Sequence, residues 1–289
     1  MIWLSGINSK KFVISKDAIA LFLFIAFYTM PFLQWFFGKA FFFFESRTIS
    51  LWMVLALIYL PTFFLIVSSK KYFIVDFFLL LTIVVLFFWI TYIVHNEYEY
   101  VYSREFYGVW DYVFRPDNGL YAYLFIRLVN NPKSLLLGLR ISGFIMYFYS
   151  ALRLYIALNR GYWLEENYMG NTIQLSYNLN FGYDLLLFVC CFLYCALRYK
   201  RKIDAIMFVV GFVMILLGGS RGPVLDIAIF GMIYILIAVG ESKYKFFYLF
   251  LVFVSLLIVM FSYQYILTAI MDVLSYFNVS SRTLSKLLE

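Results

Sequence analysis

Apolar residues run through this chain in long, nearly uninterrupted stretches, separated by short polar segments that hold most of its charge. A helix of about 20 apolar residues is long enough to cross a hydrocarbon core of roughly 30 Å. Eight stretches meet or approach that length, at 18–37, 49–68, 72–94, 135–157, 181–197, 204–218, 223–240 and 246–270. Backbone in lipid must satisfy its own hydrogen bonds, so the pattern predicts an all-α fold, a polytopic transmembrane helix bundle of eight to nine spans. No repeat, linker or soluble domain interrupts it, and one integral membrane domain is expected over 1–289. The first run lacks a small-residue cleavage site and reads as an uncleaved span. Two larger polar segments, 95–134 and 158–180, are where chemistry is expected, since loops carry function on a rigid scaffold.

Basic residues orient the bundle. They cluster in the leader (Lys10, Lys11, Lys16), in SSKK (68–71), in RYKRK (198–202) and in ESKYK (241–245). Cytoplasmic loops collect Lys and Arg, so these segments are assigned inside. The loop 158–180, the turn GGSRGP (218–223) and the C-terminal SSRTLSKLLE then lie outside. One parity fails. Three spans separate SSKK from RYKRK, so both cannot be cytoplasmic. The crossing at fault lies between 72 and 157, and the suspect is DNGLYAYLFIRLVNN (117–131), whose apolar core is too short for an ordinary spanning helix.

Composition agrees with the pattern. The chain is 65% hydrophobic and 13% charged, with mean hydropathy +0.88, against about 25% charge for soluble domains. Its 35 Phe suit lipid-facing and interhelical packing, while 26 Tyr and 6 Trp suit the headgroup level. The net charge of +7 sits in clusters between spans and reads as a topology signal, not a nucleic-acid footprint. Cys190, Cys191 and Cys195 share one apolar run and read as small buried hydrophobes. His95 is the only histidine, which excludes a His-clustered metal site. Asp76, Arg140 and Arg153 enter spans only four or five residues deep and are expected to snorkel or stay near water.

Candidate chemistry gathers at three span ends. In GGSRGP, Gly218, Gly219 and Gly222 let backbone approach a ligand, and Pro223 suits the first turn of the next helix. Arg221 adds a planar fork matched to phosphate oxygens, with Ser220 and Gly222 beside it. Two readings stand here: a phosphate cradle at a helix N-terminus, or a tight turn whose Arg touches lipid phosphates. NRGYW (159–163) repeats the theme with Arg160, Tyr162 and Trp163, either an aromatic belt or a platform for a sugar ring. Glu165 and Glu166 follow, as a solvated pair or as a general base. Tyr183 and Asp184 stand at the rim of the next span. P-loop, dinucleotide and D-x-D patterns are absent, so a transfer reaction here would draw on an activated donor already in the membrane.

RGYW, SYNLNFGYDLLLF, LLGGSRGPVLD and SSRTL, in that order over about 140–284, resemble the Wzy-type polymerases of O-antigen and capsular polysaccharide. The resemblance implies a bacterial inner-membrane glycosyltransferase with an extracytoplasmic active site. It would join oligosaccharide repeat units carried on undecaprenyl pyrophosphate, with neither metal nor cofactor. Arg160, Arg221 and Arg282 occupy positions matching the family's pyrophosphate ligands, and Tyr183 is a weaker carry-over. Implied partners are the lipid-linked oligosaccharide, membrane lipids, and the flippase and chain-length regulator of the same pathway. Family members continue past SSRTL, so the resemblance also implies a truncated or unusually short chain. An O-antigen ligase and a lipid-linked oligosaccharide flippase are the competing expectations. A ligase needs an extracytoplasmic His, and His95 lacks the matching context; a flippase predicts Arg well inside helices.

Overall fold

The computed structural model describes residues 15–40, 47–68, 72–103, 108–166, 172–175, 178–218 and 221–240, with single positions between 247 and 272. It is nearly all helical. In chain order the helices are α1 (Lys16–Tyr28), α2 (Met30–Ala40), α3 (Arg47–Ser68), α4 (Phe73–Val94), α5 (Glu99–Tyr102), α6 (Val109–Phe114), α7 (Ala122–Val129) and α8 (Pro132–Arg160). A hairpin of β1 (Trp163–Glu166) and β2 (Thr172–Leu175) follows, then α9 (Leu179–Tyr199), α10 (Lys202–Gly218) and α11 (Arg221–Gly240). Among the described residues, four helices are long and apolar enough to cross a membrane, and five if the bent pair α1–α2 counts as one span. The segments predicted at 204–218 and 223–240 are helical as α10 and α11, but shorter in their apolar extent. The stretch 246–270 lies outside the described residues, single positions apart.

The first predicted span is broken. α1 and α2 meet at Thr29 with a bend of 78°. Pro31 has no N–H to continue the ladder, and its ring crowds the carbonyl four residues back, at Phe27 in α1. Thr29 Oγ1 also donates back to the Ile25 carbonyl at 2.8 Å, which helps bend a helix.

The chain divides into two units, 1–138 and 139–289. In the first, α1 packs on α7 and α3, with Phe27 and Phe125 stacked at 4.4 Å and both buried. Lys16 Nζ, at the start of α1, donates to the Ser68 carbonyl that ends α3. α4 is apolar all round and mostly uncovered, as expected of a helix facing lipid.

In the second unit α9 is the core helix. Phe181, Leu185, Phe188, Val189, Phe192 and Cys195 recur at helical spacing and are all buried. α9 packs on α10 and α11, and Phe188 and Phe192 also meet α8 at Gly143 and Tyr147. Cys191 and Cys195 are buried free thiols, in keeping with their reading as small hydrophobes. α9 ends in left-handed Lys200, and α10 resumes two residues later, so RYKRK is a tight turn.

Candidate functional site

The second unit brings several of the singled-out residues together at the end where α9 begins and α10 ends. Asn178 caps α9, its buried side chain accepting from the Phe181 amide at 3.0 Å. That cap fixes the first turn and sets Phe181 inward, where its ring lies against Gly218 at the last position of α10. A methyl group on Gly218 would meet that ring at 2.5 Å, so glycine is what permits the helices to close there.

Trp163 also meets Phe181, tilted at 46° with centroids 4.9 Å apart, and is itself buried. The expected sugar platform therefore has its larger ring turned into the bundle, where it anchors the hairpin. Tyr162 beside it is half-buried. Gly161, at φ +76°, is the left-handed residue that ends α8 and turns the chain into β1. Arg160 is exposed in the last turn of α8. The hairpin was not expected from sequence; it pairs Trp163 with Leu175 and Glu166 with Thr172. Glu165 and Glu166 lie on β1, with side chains outside the described set.

Tyr183, half-exposed, extends from α9 so that its hydroxyl occupies the space a Cβ on Gly222 would fill. Gly222 is the second residue of α11 and Arg221 the first. The turn GGSRGP thus opens a helix, as its Pro223 predicts, with a tyrosine hydroxyl over its first turn. Ser220 and Gly219, the Arg221 side chain and Arg282 are not among the described positions. The residues 218–222 also spell G-x-S-x-G, but a nucleophile elbow joins a strand to a helix, and here helix α10 enters instead.

Two ion pairs in this unit were not legible in sequence. Arg153 on α8 reaches Asp184 on α9, Nη1 to Oδ2 3.3 Å, and its guanidinium lies 5.5 Å from the Tyr149 ring and 5.8 Å from Phe181. It is held between aromatic faces instead of snorkelling free. Arg140 on α8 pairs with Asp204 on α10 at 2.7 Å, and the Asp204 side chain is fully buried. Arg140 thus has a buried counter-charge besides whatever water its partly exposed side chain meets. Asp204 Oδ2 and the hydroxyls of Ser142, Tyr147 and Ser150 are buried without a hydrogen-bond partner among the described residues. Spacing alone gave no signal for Asp204, since it sits at the first turn of a span, where acidic residues commonly face water or the helix dipole.

Residues of the first unit are less concentrated. His95 caps α4, exposed, with Nδ1 3.0 Å from Glu97 Oε1. The Glu97 carboxyl is held below its usual range, first by a hydrogen bond from its own amide and then by the His95 ring. Asp76 is exposed, 3.8 Å from Arg127 of α7. Among the described residues no group of His, Cys, Asp and Glu is placed to hold a metal ion. No family model matches the chain, and neither a curated protein nor a solved structure matches it.

Proposed function

We propose that this protein is a polymerase of the Wzy type, with eight to nine spans in a bacterial inner membrane. It transfers a growing glycan from undecaprenyl pyrophosphate to a new lipid-linked repeat unit at the extracytoplasmic face. The observation that carries this reading is the Tyr183 hydroxyl over the first turn of α11, next to Arg221, with Arg153 and Asp184 at the same end of α9. The first turn of a helix offers unpaired N–H groups and a positive dipole end, which suit a pyrophosphate. The order of RGYW, GYD, GGSRGP and SSRT along the chain is the second support.

In the proposed reaction the bond from the anomeric carbon to the pyrophosphate oxygen breaks, and a bond to the acceptor hydroxyl oxygen forms. The acceptor proton passes to a base, the role assigned to Glu165 or Glu166. The departing pyrophosphate gathers charge, which Arg221, Arg160 and Arg282 stabilise as fixed donors. Tyr183 orients the same oxygens, and Tyr162 contacts the sugar.

Deleting the gene in its host and measuring surface glycan length tests this. Surface glycan of single repeat units is the expected outcome. Long chains left on the lipid carrier would instead identify a ligase. Lipid-linked units retained in the cytoplasm would identify a flippase. Full polymer length with Arg221→Lys would rule out the bidentate clamp.

A further inference from the structure

Residues on either side of 104–107, from Tyr102 to Asn130, lie at successive levels of α4. At the C-terminal end of α4, Tyr92 meets Tyr102 edge to face, centroids 5.3 Å apart, and Tyr102 leads to Trp110 at 6.0 Å. Further along, Tyr121 lies 5.4 Å from Phe77, four residues from the start of α4. At that start Arg127 and Asn130 share a pocket with Tyr72, Phe73 and Asp76. From Tyr92 to Phe73 a helix rises about 28 Å. That is close to the roughly 30 Å thickness of a hydrocarbon core.

We infer that residues 109–129 cross the membrane as a broken span, α6 and α7 being its two halves and Arg115–Pro116–Asp117–Asn118 the break. A non-helical backbone at that depth is tolerated only where protein satisfies it. Here side chains close over the break and several of its backbone groups are paired. Arg115 closes on Asp117 through two hydrogen bonds, Nε to Oδ1 at 2.8 Å and Nη2 to Oδ2 at 2.7 Å. The Asn118 amide donates to the Arg115 carbonyl and the Tyr121 amide to the Asn118 carbonyl, each at 3.0 Å. The Tyr59 hydroxyl donates to the Pro116 carbonyl from within α3, nine residues or about 14 Å before its end at Ser68. Asn130, in left-handed conformation, ends α7, and the Asn131 side chain accepts from the Lys133 amide to start α8.

The crossing removes the parity conflict. Four crossings, not three, then separate SSKK from RYKRK, so both basic loops share one side, as the Lys and Arg bias requires. With 246–270 counted, the chain has nine spans. The inference is independent of the proposed catalysis, because it concerns only the path of the chain.

The test uses the full-length protein with Cys190, Cys191 and Cys195 replaced by Ala. One new cysteine is introduced at a time, at Asn96 or Ser103 beyond α4 and at Asn131 or Lys133 at the start of α8. A membrane-impermeant maleimide is applied to intact spheroplasts and again after the membrane is opened. We expect positions 96 and 103 to label on one side only and 131 and 133 on the other only. Labelling of both pairs from the same side would overturn the crossing and leave 109–129 as a re-entrant loop. Two positions per side keep the test decisive should one substitution prevent accumulation.

Discussion

Arg140 and Asp204, 64 residues apart in sequence, close on each other inside the second unit, with Nε at 3.0 Å and Nη2 at 2.7 Å from the same carboxylate oxygen. The pair joins α8 to α10 where neither charge can reach water freely. Removing one partner strands the other, at a cost of about 3–5 kcal/mol for buried pairs. Asp204→Ala is therefore expected to lower thermal stability strongly in detergent, and Arg140→Gln with Asp204→Asn to recover much of the loss. If the double variant were as unstable as the single one, the charges would not be what holds these helices.

Gly218 and Gly222 both face aromatic side chains, yet their substitution should differ. Phe181 beneath Gly218 is fully buried and cannot swing aside, so Gly218→Ala is expected to cost about 1–3 kcal/mol through overpacking. Tyr183 over Gly222 is half-exposed, and its hydroxyl can move. Gly222→Ala should leave stability within roughly 1 kcal/mol, while displacing the hydroxyl and reducing polymer length. Paired unfolding and glycan-length measurements check both; a larger stability loss for Gly222→Ala would reverse the assignment.

Asn178 starts α9 by capping it, and Asn178→Ala should destabilise by about 1 kcal/mol. Asn178→Asp or Asn178→Ser preserves an acceptor and should recover most of that. Equal loss in all three variants would show that the cap is not the source of the effect.

Trp163 is the hairpin's contact with Phe181. Trp163→Ala is expected to cost roughly 3–5 kcal/mol if the bundle treats it as core, and Trp163→Phe much less. A neutral Trp163→Ala in thermal unfolding would mean that the ring is a ligand platform after all.

Glu97 gives the chain a pH dependence of known sign. Its carboxyl is depressed below the usual range, chiefly by its own amide, so the stabilisation it supplies is present above the unfolded-state pKa. That contribution fades as pH falls through the folded value. Carboxyl-selective NMR should show a titration below the ordinary glutamate range. His95→Ala should raise it only in part, because the ring is the second cause and not the first.

Helix content was determined by the sequence itself: runs such as 72–94 have no solution in lipid other than a helix, and α3, α4, α8 and α9 follow the predicted segments closely. The opening of α11 at GGSRGP was equally legible, because glycine, proline and arginine act through local backbone geometry. Tertiary structure alone decided which charges meet. Nothing local distinguishes Asp204 from a solvated acid, nor Arg153 from a snorkelling one, until α8 is laid against α9 and α10. It also decided that Tyr102, Tyr121 and Arg127 lie along α4. Hydropathy counts apolar length in one continuous helix, whereas a broken segment draws its length from two halves and a backbone partner from a distant side chain, that of Tyr59.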